Sequence, residues 1–235
     1  MAEWAAKRFW KDTTVAETEG GFTVHLDGRP VRTPAKARLI LPTKALADLI
    51  AAEWEAQDGV IDPNTMPATR GANAAIDKVA VQHAEVADML SDYGDSDLLC
   101  YRAEHPRELV ERQAQGWDPL LEWAEEVLAA RLEPRAGVMH APQKAGALEA
   151  LRRRTHALNA FELAAFHDLV ALSGSLILGF AVTEGRLTPE EAWALSRLDE
   201  AFQIEQWGED EEASEASEIK RQSFLQAALF YRVVN

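Results

Sequence analysis

Apolar residues between Thr188 and Gly208 recur at helical spacing for about five turns. Thr188 suits an N-cap, Pro189 the first helical position, and Glu191 completes a capping box, while Gly208 serves as a C-terminal stop. At about 100° per residue, Leu195, Leu198 and Phe202 form one stripe. Trp193, Ile204 and Trp207 form a second, well rotated from the first, and Glu200 falls inside it. A helix apolar on two sides is either central to a domain, or covers one neighbour and offers its other side to a partner. In the first case Glu200 sits at the edge of a core, bonded to an arginine or a backbone amide. In the second it is part of a site.

The period is different nearer the N-terminus. Residues 1–42 read as short strands joined by tight turns. Gly21–Leu26 alternates, Asp27-Gly28 is a two-residue hairpin signal, and the return strand over 29–33 carries Pro30, which belongs at an edge. Ala37–Leu41 reads as a further strand. Thr43 then caps a helix to Gln57, with Leu46, Leu49, Ile50 and Trp54 on one face. Asp58–Thr69, broken by Pro63 and Pro67, reads as a loop.

From Ala72 onward the pattern is helical. Ala75–Tyr93 is amphipathic, Pro106 opens a helix to about Gln115, and Asp118-Pro119 has the form of a new helix start. Pro134, Gly137 and Pro142 mark an irregular connection before the next helix. Asn159 with Glu162 forms another capping box, and the helix it opens, with its continuation through Leu163–Val182, is apolar all round and expected at a domain centre. Six acids crowd Glu209–Glu218 before a last helix whose core face is Phe224, Leu225, Ala228 and Leu229. The class is α+β. A small antiparallel β-rich domain with a covering helix is expected over 1–71, and a larger all-α domain over 72–235.

Composition narrows the function classes. A chain of 235 residues, 47% apolar and 27% charged, can bury a substantial core. The net charge of −15 argues against nucleic acid and against anionic membrane surfaces. It favours solubility and steering toward a basic partner. One cysteine, Cys100, excludes an intramolecular disulfide. The opening MAEWAAKRFWKD lacks an apolar signal segment, and Leu169–Val182 is interrupted by Ser173-Gly174-Ser175 and too short to span a bilayer. A cytoplasmic protein with no membrane insertion is expected.

Candidate chemistry is sparse. The six histidines are dispersed without a metal-binding pair, so no metal is expected, and no phosphate loop, dinucleotide fingerprint or nucleophile elbow occurs. His167-Asp168 could form half of a dyad, but a core histidine bonded to a neighbouring carbonyl accounts for it better. Ser173-Gly174-Ser175 between apolar segments fits a helix kink better than an anion cradle. Arg152-Arg153-Arg154 could receive an acidic segment, but a solvated face of a charged helix is the commoner explanation. The seven tryptophans (Trp4, Trp10, Trp54, Trp117, Trp123, Trp193 and Trp207) are many for this length. That residue is enriched at interaction hot spots, although most of the seven sit on core stripes of their own helices.

The order and spacing of several short pieces resemble one family. They are Lys7-Arg8-Phe9, Leu26–Val31 with Thr33-Pro34, Leu41-Pro42-Thr43, Glu53-Trp54 with Gln57, and Met66-Pro67. Further on come Asp97–Arg102, Trp117–Leu121, Ser173-Gly174-Ser175, and finally Trp193, Asp199-Glu200, Gln203 and Trp207-Gly208. Together they resemble the assembly chaperones that act on the α subunit of the F-type ATP synthase catalytic head, the mitochondrial ATP synthase assembly factor 2 and its bacterial relatives.

The resemblance implies a non-enzymatic bacterial protein without cofactors, expected as a monomer. It would hold free α subunits until β subunits replace it. Its mitochondrial relatives work in the matrix. It also implies that Asp199 and Glu200 matter, with Gln203, Trp207 and Trp54 as further partner-binding positions. A lone α subunit exposes an interface meant for its neighbours, and such patches aggregate. The competing classes are a stable structural or scaffold subunit, and an enzyme with a dispersed site around Asp97, Arg102 or His167.

Overall fold

The structure, a computed structural model, describes residues 7–235, so Trp4 lies outside it. The architecture is α+β, a small antiparallel sheet followed by a predominantly helical chain. Two compact units emerge, and they are not contiguous in sequence. One holds the described residues to Gln82 with Ala160–Ala165 and Leu229–Asn235, and the other holds His83–Asn159 with Phe166–Ala228.

In the first unit, β1 (Thr13–Thr18) pairs antiparallel with β2 (Gly21–Leu26), from Thr13 opposite Leu26 to Thr18 opposite Gly21. Asp27 and Gly28 both take positive φ, 48° and 74°, as the tightest hairpin turn requires. The Asp27 carboxylate also accepts the Asp12 and Lys11 amides at 2.9 and 3.0 Å, which holds its pKa below the usual value. The return strand β3 is only Arg29–Pro30, with the proline on the sheet edge. The strand expected over Ala37–Leu41 does not form. Arg38 makes an isolated bridge to Arg32 and Leu41 one to Phe22. Pro34 and Pro42 flank this segment and supply no ladder N–H.

Helix α1 (Lys44–Glu55) is capped by Thr43, whose side chain accepts the Leu46 amide. Its Leu46, Ala47 and Ile50 are buried with Val24, Leu26, Leu39 and Leu41, and Phe230 and Val234 complete the same core. Each leucine, isoleucine, valine or phenylalanine side chain fully buried there contributes about 1.5–3 kcal/mol.

The segment expected as a loop to Thr69 already contains the start of α2 (Pro67–Ala74), which uses Pro67 at its first position. The single helix expected over Ala75–Tyr93 is divided. A wide π turn covers Ala75–Val79, and α3 runs His83–Ser91. That turn carries Asp77, which accepts from Thr33 Oγ1 at 2.7 Å and from the Ala35 amide at 3.1 Å, so it fastens the Pro34 bend.

The second unit is helical apart from one parallel pair, β4 (Tyr101–Arg102) with β5 (Arg135–Ala136). Helix α4 runs unbroken from Arg107 to Leu128, so Asp118-Pro119 does not begin a new helix. The buried residues Gln113, Trp117, Leu120, Leu121, Ala124 and Leu128 form one face on both sides of the proline, and that packing outweighs the single lost hydrogen bond.

Helices α5 (Ala145–Ala157), α6 (Ala160–Ser173) and α7 (Leu176–Thr183) follow. Gly174, at φ 74°, makes the break between α6 and α7. Only α7 matches the expectation of a helix apolar all round, since Leu176–Ala181 are all buried; α6 exposes Asp168 and half-exposes His167. The stretch expected as one helix over 188–208 is two, α8 (Pro189–Ser196) and α9 (Leu198–Trp207). The capping box of Thr188 with Glu191 is present. Helix α10 (Glu211–Val234) begins inside the acidic run.

Candidate functional site

The break between α8 and α9 is made at Arg197, whose backbone leaves helical geometry at φ −110° and ψ 16°. Its guanidinium explains why the chain stops there. One nitrogen donates to the Leu172 carbonyl at 3.2 Å and the Ser173 carbonyl at 3.4 Å, at the open C-terminal end of α6. Another donates to Glu200 at 3.0 Å, and the plane lies 4.9 Å from the centre of the Trp193 ring. Trp193 itself is 6% exposed and packs against Phe224.

Helix α9 then presents two unlike faces. The inner one is locked to α4. Trp117 donates its indole N–H to the Leu195 carbonyl at 3.0 Å, just before the break. Gln113 donates to Asp199 at 2.7 Å, and Arg112 grips Glu205 at 2.7–2.8 Å while lying 5.2 Å from the Phe202 ring centre. Gly116 leaves room for this approach, since a Cβ there would meet Leu195 Cδ2 at 3.0 Å and Leu198 Cδ1 at 3.3 Å. Two carboxylates, of Glu205 and Glu108, raise the pKa of Arg112 further.

The outer face carries Glu200, Gln203, Ile204 and Trp207, all exposed. At about 100° per residue these four fall within one third of the helix circumference. Trp207 is 80% exposed and Ile204 46%. Among the described tryptophans, Trp207 alone is exposed; Trp54 and Trp123 are partly buried and the others buried.

The expected second stripe is therefore split. Trp193 turns into the core on α8, while Ile204 and Trp207 face outward on α9 with Glu200. Asp199 is half-buried and belongs to the α4 seam. Glu200 and Gln203 are reachable from outside. Arg197, Arg112 and Gln113 carry no motif that marks them in the sequence. An arginine three positions before Glu200 was a local signal for the first, but the other two lie more than eighty residues from their partners.

Trp54 belongs to the other unit. It is partly buried against that unit's core and meets Trp10 edge-on, ring centres 5.2 Å apart. Its neighbours build local structure. Glu53, pushed up in pKa by burial, accepts from the amides of Ala68 and Thr69 and from Thr69 Oγ1 at 2.6–2.7 Å, so it caps α2 from α1. Gln57 donates to Thr65 Oγ1 at 3.0 Å and accepts from the Asp62 amide at 2.8 Å, which shapes the intervening loop.

The residues of the dispersed-site alternative do not converge. Asp97 is fully buried and acts as a double cap. It accepts from the Leu99 amide at 3.0 Å, from Ser175 Oγ at 2.7 Å and from the Ile177 amide at 3.0 Å, fastening the start of α7. Arg102 pairs with Asp118 at 2.7 Å and lies over Trp117. His167 bonds Asp168, which raises its pKa, on a half-exposed face rather than in a core. Arg152 and Arg153 lie on an exposed face, where Arg152 pairs with Asp88, and half-buried Arg154 donates to the Val127 carbonyl, both at 2.6 Å. Among the described residues no three His, Cys, Asp or Glu side chains are grouped to hold a metal ion.

A family model, the ATP12 chaperone protein, matches residues 7–125. The mitochondrial protein atp12 of Schizosaccharomyces pombe is 31% identical over 221 residues, spanning 89% of this chain and 76% of its own. The chain belongs to the ATP12 chaperone family. Solved structures agree throughout its length. Atp12 of Paracoccus denitrificans is 51% identical, covers 99% of this chain and 100% of its own, and superimposes with a TM-score of 0.96. An aspartate-to-lysine variant of that protein gives the same TM-score at 50% identity, with complete coverage of both chains. Atu1473 of Agrobacterium tumefaciens is 48% identical, with a TM-score of 0.93 over 97% of this chain and 86% of its own. The chain is a chaperone of F1-ATPase assembly and not an enzyme. No helix among its described residues is long and apolar enough to cross a membrane.

Proposed function

We propose that this chaperone holds the unassembled α subunit of the F1-ATPase through the outer face of α9 and yields it when the β subunit arrives. The observation that carries the reading is Trp207, left 80% exposed on the helix face opposite the one α4 locks in place. Glu200 and Gln203 flank it as contacts, and Asp199 acts from the seam by fixing the start of α9. Trp54 serves the binding indirectly, by holding its own unit folded. The chaperone works as a monomer in a bacterial cytoplasm, where a free α subunit would otherwise aggregate through its unpaired interfaces.

The test is capture by the purified protein of isolated α subunit, isolated β subunit, and a mixture of the two. Binding to α alone, with release when β is added, is the expected outcome. Preference for β, or retention on the assembled catalytic head, would overturn the reading and favour a stable structural subunit.

A further inference from the structure

The surface beside Trp207 has a charge pattern that says what kind of partner it fits. From Leu198 to Ile219 there are 22 residues with nine acids and no lysine, arginine or histidine. Four of the nine are engaged: Asp199 by Gln113, Glu200 by Arg197, Glu205 by Arg112 and Glu218 by Arg221. The other five, Glu209, Asp210, Glu211, Glu212 and Glu215, have no ion-pair partner among the described residues, and all but one of these side chains are placed within five positions of Trp207.

Helix stability explains only part of this run. Glu211 and Glu212 lie in the first turn of α10, where the helix dipole favours acids, and Asp210 accepts the Ala213 amide at 3.0 Å. Glu209 precedes the helix and Glu215 lies beyond its first turn, where that benefit has faded. Five like charges within seven residues repel one another in the free protein, the more so at low salt where screening is weak. An exposed Trp207 with Ile204 one turn before it adds apolar surface that the fold leaves uncovered.

We propose that the outer face of α9 and the start of α10 form one docking surface, Trp207 and Ile204 its apolar anchor and the five unpaired carboxylates its rim, for a protein surface with an apolar pocket edged by lysine and arginine. The inference rests on the α-subunit reading above and adds the chemistry of the contact. Membrane lipid and nucleic acid are disfavoured by the same charges. A second copy of this chain would set one acidic rim against another.

The experiment measures association and dissociation rates with isolated α subunit between about 50 and about 500 mM salt, a range across which exposed charges become screened. Trp207→Ala is expected to keep its melting temperature and to dissociate about 30-fold faster, as loss of a buried anchor does. Replacing the five rim acids with Gln or Asn is expected to slow association about 10-fold or more at low salt and to flatten its salt dependence. Neutralising Glu122 and Glu126, exposed on α4, should do neither. Wild-type rates in both site variants would sink the inference and move the contact away from α9, while binding of the α subunit by this chaperone would still stand. No binding of α by the wild-type protein would sink both. Sedimentation of the wild type as a dimer that Trp207→Ala dissociates would also overturn it, because the occupant would then be a second copy.

Discussion

Arg197 holds Glu200 through a single oxygen at 3.0 Å, three positions along the chain, with more than half of the Glu200 side chain open to water. The arginine does not depend on that bond. It also donates to two carbonyls at the end of α6 and lies against Trp193. Glu200 is thus attached to the fold without supporting it.

Glu200→Lys should therefore fold almost normally. An exposed pair of this spacing contributes about 0.3–0.5 kcal/mol, and the lysine adds a like-charge contact of similar size. The loss should stay below about 1 kcal/mol, with rescue of α-subunit solubility abolished. Circular-dichroism melting run beside an aggregation assay checks it. A large fall in melting temperature would return Glu200 to the core.

Trp54→Arg should act in the opposite way. The indole packs on the core of the first unit and meets Trp10, and the Arg8 guanidinium already lies 5.3 Å from the Trp10 ring centre. Removing the aromatic contact costs about 3–5 kcal/mol, and a second cation near Arg8 adds to it. Urea unfolding should show a sharply lower midpoint. An unchanged midpoint with lost binding would make Trp54 a contact.

Gln113→Ala tests the α4 seam. The amide accepts the Ala103 N–H at 2.8 Å and donates to Asp199 at 2.7 Å, and the side chain is 1% exposed. Leaving those groups unpaired should cost about 1–3 kcal/mol. Hydrogen exchange should accelerate at the Ala103 amide and along the first turn of α9. Unaltered exchange at both places would show that Gln113 fills space without holding Asp199.

Asp97 makes stability depend on pH. Burial pushes its pKa up to about 6, against the pull of the hydrogen bonds from Ile177, Ser175 and Leu99. An unfolded aspartate titrates near about 3.9, so between those values the folded chain holds a proton that the unfolded chain does not. This residue therefore adds stability as pH falls through about 6, and the gain is complete near about pH 4, on the order of 1–3 kcal/mol. Asp97→Asn cannot gain it. Urea midpoints at about pH 5 and about pH 7.5 should show a wider gap between wild type and variant at the lower pH. An equal gap at both would contradict the assignment.

Local patterns determined much of this protein. The Asp27-Gly28 hairpin, the Thr43 cap, the Thr188 and Glu191 capping box, the buried α7 and the α+β class were all legible in the sequence. Each depends on residues a few positions apart, so dihedral preference and short-range hydrogen bonds suffice. The family resemblance was legible too, through the order of short pieces rather than any one of them.

Tertiary structure decided the rest, where distant groups outweighed local preference. Packing on both sides of Pro119 kept α4 whole, although Asp118-Pro119 has the form of a helix start. The α6 carbonyls drew in the Arg197 side chain where 188–208 breaks in two, although the apolar period there runs on. That break decided the candidate site. It sent Trp193 inward and Trp207 outward, which no periodicity along one continuous helix could have separated.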